Sequence, residues 1–281
     1  MRDKADICRR AAAEIRRDII DMTFRAGSHG AHLGGSLSIV DLLVGLYLGH
    51  MKAWPQGIAF GSVEERDRII MSKGHAALAL YPVLSKAGII PEEELITFKH
   101  NGSRLGAHPS LNGLPGIEFA SGSLGQGLSL GVGTCLALRE KNNAVSRVFV
   151  FLGDGECNEG MVWEAAMCGA HYGLKQLNVI VDKNHLQYDG NTEDVMNMDP
   201  LAEKWEKFGW DTCVIDGHDM DQIIAAYGTE TDKPRAIIAD TIKGKGVSFM
   251  ENKASFHNAR LSEQMYHDAI REIDQEINRW K

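Results

Sequence analysis

The sequence predicts one α/β domain over residues 1–281, an open, mostly parallel sheet of about five strands with helices on both faces. Three observations carry this. Short apolar runs alternate with helix-period segments from residue 68 onward. Residues 147–184 read as a complete strand–helix–strand unit. No repeat, low-complexity tract or Pro/Ser-rich linker divides the chain, and its length suffices for a sizeable core.

The composition narrows the class. A hydrophobic share of 44% and a charged share of 24% are those of a globular protein. A net charge of −8 argues against a nucleic-acid-binding surface. Five cysteines, odd in number and without a C-x-x-C spacing, predict a reduced, cytoplasmic protein. The amino terminus lacks the apolar core of a signal peptide, and no run reads as membrane-spanning, so no membrane association is expected.

Residues 4–26 form an amphipathic helix with Ile7, Ala11, Ile15, Ile19 and Met22 on one stripe, ended by Gly27 as a C-cap. A glycine-rich loop with His29 and His32 follows. Ser36 is expected to cap a second helix through Val40, Leu43, Val44 and Tyr47. Residues 68–71 read as a strand, and Ser72-Lys73-Gly74-His75 as the turn into an Ala/Leu-rich helix, where α/β folds place ligands. Pro91 opens a short acidic helix to about residue 98. The irregular stretch 99–121, which contains Gly106-Ala107-His108-Pro109, is long enough to imply function. From Ser121, a glycine-rich segment opens a helix to about Glu140, and this many glycines imply tight packing or close ligand approach. A nucleotide-loop reading of Gly125, Gly127 and Gly131 is weak, because no clear strand precedes them.

The central unit begins with an apolar strand at 147–152, turns at Gly153-Asp154-Gly155, and continues into an acidic helical segment. There Glu159, Trp163 and Ala166–Met167 are spaced to share a face. A second strand at 177–181 ends on Asp182-Lys183-Asn184. Parallel strands joined by one helix bring their carboxyl ends together, and with them Asp154 and Asn184. One anionic and one neutral oxygen suit a hard divalent cation with open sites for phosphate oxygens. Taken separately, Gly-Asp-Gly is an ordinary turn and Asn an ordinary cap. The dinucleotide fingerprint is excluded, since position 158 is Asn. A helix opened by Asp199-Pro200, strands at 212–215 and 235–240 with a helix over 220–227 between them, a basic flexible loop at 241–246 and a terminal helix from about Ser262 complete the chain. In that loop Lys243 and Lys245 read equally as phosphate partners or as solvated lysines.

Together these motifs resemble the amino-terminal, diphosphate-binding domain of transketolase. The resemblance rests on Ser28-His29-Gly30, Ser72-Lys73-Gly74-His75, Gly106-Ala107-His108-Pro109, Ser121 to Gly127, Gly153-Asp154-Gly155, Asn184 with Tyr188-Asp189-Gly190, and His257. It covers nearly the whole chain and implies the thiamine diphosphate-binding fold. It also implies Mg2+, or Ca2+ or Mn2+ in its place, held by Asp154, Asn184 and the Leu186 carbonyl. His75, Gly153, Gly155 and His257 would contact the cofactor, with Gly122 and Leu124 against the aminopyrimidine. His29, His108 and His257 would line the substrate channel, and Glu159 would lie at the partner interface in the proton relay. His32 and the other histidines are expected to be ordinary loop or surface residues. A zinc site is chemically open, but the spacings show no zinc pattern.

Full-length members of that family carry a pyrimidine-binding and a carboxyl-terminal domain after this one. The resemblance therefore implies a split enzyme whose other subunit supplies those domains, assembled as a heterotetramer and acting on sugar phosphates. The same motifs admit the alpha subunit of a 2-oxo-acid dehydrogenase, and a non-catalytic binding or regulatory subunit. The loop after His29 departs from the family in lacking its proline, and His185 beside Asn184 has no assigned role.

Overall fold

A computed structural model of the chain describes residues 4–51 and 66–280. The first three residues, part of the stretch expected not to be a signal peptide, lie outside the described residues. Five strands, β1 (Arg68–Met71), β2 (Val148–Gly153), β3 (Leu177–Lys183), β4 (Asp211–Asp216) and β5 (Arg235–Asp240), form one sheet in the order β1-β2-β3-β5-β4. Every pairing is parallel, with Gly153 opposite Asp182 and Lys183 opposite Asp240. The carboxyl ends of β2, β3 and β5 thus finish side by side.

Alternation along the strands builds two cores, because successive side chains point to opposite faces. Phe149, Phe151, Ile180 and Ile237 pack on one side. Val148, Val150, Leu152, Val179, Val181 and Ile238 pack on the other. The first face is covered by α1 (Lys4–Arg25), α2 (Leu33–Leu37), α3 (Val40–Val44), α4 (Ala77–Lys86), and later α9 (Met220–Gly228) and α10 (Glu263–Arg279). The second is covered by α5 (Gln126–Glu140), α6 (Gly160–His171) and α8 (Leu201–Lys207); the short α7 (Thr192–Met196) precedes α8. The expected parallel sheet with helices on both faces is what forms.

Several local expectations are corrected. Ile7 is 53% exposed and Cys8 takes the inward position, so the stripe of α1 is Cys8, Ala11, Ile15, Ile19 and Met22. Ser36 lies inside α2 rather than at its cap, with a buried hydroxyl that has no partner among the described residues. The inward face of α6 is Val162, Ala165, Ala166 and Gly169, while Glu159 is the exposed N-cap and Met167 is exposed. A purely apolar face there suits the tight approach to α5. The segment Leu33–His50, 18 residues, is apolar enough to cross a membrane, contrary to the reading of the sequence. It is 89% buried within the domain, which makes it a core element. The loop 241–246 is not a solvated basic loop: Thr241 and Lys243 are buried within it.

Candidate functional site

The strand ends create the site. The Asp154 backbone N–H donates to the Asp182 carbonyl at 3.2 Å, continuing the ladder one residue past β2. The Asp154 carboxylate accepts from the Gly155 N–H at 2.8 Å and from the His185 N–H at 2.7 Å. His185 adopts φ +62°, turning the chain after Asn184 so that its amide faces Asp154. This gives His185 a backbone role, while its ring pairs with Asp240. Asp154 and the 184–186 turn are therefore joined directly. Burial, and then the neighbouring Asp182, push the Asp154 carboxyl up to about 6. The Asn184 carbonyl oxygen accepts only a long bond, 3.3 Å, from the Leu186 N–H. The Leu186 carbonyl accepts from the Lys243 ammonium at 2.8 Å.

Beneath this rim lies a buried charge network that the sequence did not announce. Asp182, 0% exposed, accepts from Lys73, from the Ser38 hydroxyl at 2.7 Å, from Thr241 and from the Asn184 amide at 2.8 Å. Burial acts to raise its pKa, but Lys73 and these hydrogen bonds hold it below the usual carboxylate range. Lys73 also donates to the Gly35 carbonyl at 2.9 Å, tying the first glycine loop to the sheet. Burial, with Lys73 nearby, brings the Lys243 ammonium down to about 8.

A second network joins the glycine motifs. The buried Glu156 accepts from the Ser72 hydroxyl, the Gly125 N–H at 2.8 Å and the Gly153 N–H at 3.0 Å. The Ser72 hydroxyl in turn accepts from the Gly127 N–H at 3.1 Å. A Cβ on Gly127 would lie 2.3 Å from that of Ser72, so only glycine lets α5 sit this close.

Four imidazoles gather above these loops, and His32 is their hub. Its ring lies 5.7 Å from His75, 5.5 Å from His108 and 5.7 Å from His257, while His75 and His257 stand 5.4 Å apart. The reciprocal backbone bonds between Ala31 and Ala259, each 2.9 Å, bring the two outer loops together. His29 takes part in none of these ring contacts. It is exposed on the turn Gly27–His29, and its carbonyl is held by Lys99 at 2.9 Å. Burial and His108 lower the His32 pKa to about 4, and burial with Lys243 lowers that of His257 to about 3. His75 and His108 shift down by burial as well. Neutral imidazoles therefore line this region near pH 7.

Leu124, 37% exposed, and Gly122 are both exposed, and a Cβ on Gly122 would lie 3.7 Å from the His108 ring. Glu159 backs the Gly125 turn, 2.8 Å from where a Cβ on Gly125 would lie. Among the described residues no group of three His, Cys, Asp or Glu is disposed to hold a metal, which leaves the zinc alternative without support.

The match to known proteins follows this geometry. The model of the family described as "Transketolase, thiamine diphosphate binding domain" matches residues 7–276. The chain belongs to the transketolase family. It is 38% identical over 267 residues to one of the subunits of an apulose-4-phosphate transketolase from Phocaeicola vulgatus, covering 94% of this chain and 92% of that one. It is 40% identical over 248 residues to a 6-deoxy-6-sulfo-D-fructose transketolase subunit of Clostridium sp. strain MSTE9, covering 87% and 89%. The crystal structure of Campylobacter jejuni transketolase superposes with a TM-score of 0.87 at 25% identity, over 100% of this chain but only 46% of that one. The chain thus spans about half of the Campylobacter jejuni transketolase and about nine-tenths of these two subunits. Membership makes it a transferase of the transketolase kind, built on a thiamine diphosphate-binding fold.

The residues fit such a ligand. Asp154, Asn184 and the Leu186 carbonyl offer hard oxygens carrying a single charge, which leaves a divalent cation room for diphosphate oxygens. Gln187 Nε2, Ser121 Oγ and His257 Nδ1, around the same loops, are buried without a partner among the described residues, and buried polar atoms of this kind call for a ligand or solvent.

Proposed function

We propose that this chain is the amino-terminal subunit of a split transketolase that moves a two-carbon ketol unit from a ketose phosphate to an aldose phosphate. Its partner is a carboxyl-terminal subunit carrying the pyrimidine-binding domain, and the assembly is a cytoplasmic heterotetramer with sites between subunits. The relatives named as separate subunits, matched nearly end to end, support the division. The five cysteines, all unpaired, suit a reducing compartment.

The observation that carries the reading is the buried Asp154 carboxylate clasped to the 184–186 turn. Asp154, Asn184 and Leu186 would hold Mg2+, and the Gly155 backbone, His75 and Lys243 would meet the diphosphate. When bound, thiamine diphosphate supplies the carbon nucleophile for carbon–carbon bond cleavage. The protein's share is to bind, orient and move protons. Glu156 fixes the Gly125 and Gly153 amides, and with them the two turns that would flank the cofactor. His32, His108 and His257 are neutral near pH 7, so each can accept a hydrogen bond from a sugar hydroxyl at one ring nitrogen and donate one from the other. Glu159 and Leu124 are both exposed, which leaves them free to meet a partner subunit.

Co-expression with a carboxyl-terminal transketolase subunit tests this. Neither chain alone should turn over, the pair should, and Asp154→Ala in the pair should abolish magnesium-dependent binding of thiamine diphosphate, as measured by calorimetry. Turnover by the isolated chain, or unchanged affinity in the variant, refutes the assignment.

A further inference from the structure

Lys243 is a long side chain whose ammonium must be brought to one carbonyl, and two glycines, Gly244 and Gly246, follow it in the loop that leaves β5. The loop is held in part by its own backbone, with the Lys245 N–H donating to the Ile242 carbonyl at 3.1 Å, and in part by the Gly244 N–H donating to the Gly34 carbonyl at 3.0 Å. At its base, the Ile242 N–H donates to His218 Nε2 at 2.9 Å. An amide can only donate, so Nε2 is the unprotonated nitrogen, and Nδ1 carries the proton that it gives to Asp41 at 2.7 Å. Asp41, buried on α3, is paired in turn with Arg16 of α1, which is buried as well. The Arg16 stem then supports the far end of the same loop, since a Cβ on Gly246 would lie 2.7 Å from its Cδ. The turn bearing His218 is seated just as closely. The Gly217 N–H donates to the Asp240 carbonyl at 2.7 Å, and a Cβ there would meet Thr241 at 2.4 Å.

We infer that His218, oriented by Asp41 and Arg16, is a positioning residue that sets the loop after β5 and so aims Lys243 at the Leu186 carbonyl. Both nitrogens of the imidazole are engaged, so it has none to offer a ligand. It acts through the loop, as outer partners of a bound group do. The part of this inference that concerns affinity rests on the cofactor reading above; the part that concerns the loop does not.

Two substitutions separate the two nitrogens. In His218→Gln the side-chain oxygen reaches as far as Nε2 and can accept from Ile242. In His218→Asn the side-chain amide can still donate to Asp41 but leaves Ile242 N–H without an acceptor. Hydrogen exchange of the 242–246 amides, measured on the chain without ligand, should quicken about tenfold in His218→Asn and stay near wild type in His218→Gln. Calorimetric affinity for magnesium and thiamine diphosphate in the assembled complex should follow the same order, about tenfold weaker in His218→Asn. His218→Ala should match His218→Asn; if it does not fold, the Asn–Gln pair decides. Equal behaviour of Asn and Gln, or exchange that quickens evenly across β5 and α9, overturns the inference. A wild-type complex that binds no thiamine diphosphate would refute the cofactor reading, while the exchange comparison would still decide the role of His218.

Discussion

Helix α5 gives the sharpest test of how the site is built, because one substitution at three of its glycines meets three different surroundings. A Cβ on Gly127 would stand 2.3 Å from Ser72 Cβ, 2.4 Å from its Oγ and 2.8 Å from its Cα. Ordinary contact begins near 3.4 Å, so the helix or the β1 turn must retreat by about 1 Å, and overpacking of this kind costs about 3 kcal/mol. The gain in helix propensity offsets up to about 1 kcal/mol. Gly127→Ala should therefore lose about 2–3 kcal/mol, or roughly 4–5 °C in Tm for a chain of this size. Gly131 would meet the side-chain ends of Val150 and Leu177 at 2.7 and 3.1 Å, which can shift, so its loss should be about 1 kcal/mol. Gly133 meets nothing within 4 Å, and Gly133→Ala should stabilise by about 0.5–1 kcal/mol. Urea unfolding followed by tryptophan fluorescence ranks all three on one scale. If Gly127→Ala is as stable as Gly133→Ala, α5 is not seated on Ser72, and the link from Ser72 through Glu156 to the Gly125 and Gly153 turns fails with it.

Two further outcomes concern charge. Lys73→Met leaves Asp182 buried without its cation and should cost about 3 kcal/mol near pH 8. In the wild type Asp182 titrates below its unfolded value, so its stabilisation is present above that value and is lost only as pH falls through the lowered one. Without Lys73, burial dominates and raises the carboxyl, so the deficit should narrow on going from pH 8 to pH 5; a deficit that widens in paired urea titrations would refute the pairing. His32, held at about 4, is neutral when folded, and the stability it contributes is present above the ordinary histidine value and is lost as pH falls from 6.5 towards 4. His32→Asn should thus reduce the fall in stability between pH 7 and 4.5 by about 1–2 kcal/mol, allowing for partial exposure. An unchanged pH profile would place His32 in solvent.

The frame was legible because it rests on signals that sequence carries openly. The run 148–153 is buried on both faces, so nothing polar interrupts it, and the turn at Gly153-Asp154-Gly155 needs small residues beside a strand end. What stayed hidden depends on contacts between distant segments. Lys73 reads as a solvated lysine until the chain folds Asp182 against it, and the two are 109 positions apart. His29 and His32 sit in one glycine-rich loop with no periodicity to rank them. The Ala31–Ala259 bridge turns His32 towards His257 and leaves His29 outside. Ile7 departs from its expected place for a related reason: the stripe through Ala11 and Ile15 accepts either Ile7 or Cys8 one turn earlier, and hydropathy favours the isoleucine. The packed helix takes the smaller cysteine, which is 1% exposed. The same logic separates the motif residues from those that hold them. Asp154 could be found from a local pattern, whereas Glu156, Asp182 and His218 act by joining loops far apart in the chain. Such residues become visible only when the hydrogen bonds of each loop are traced to their ends.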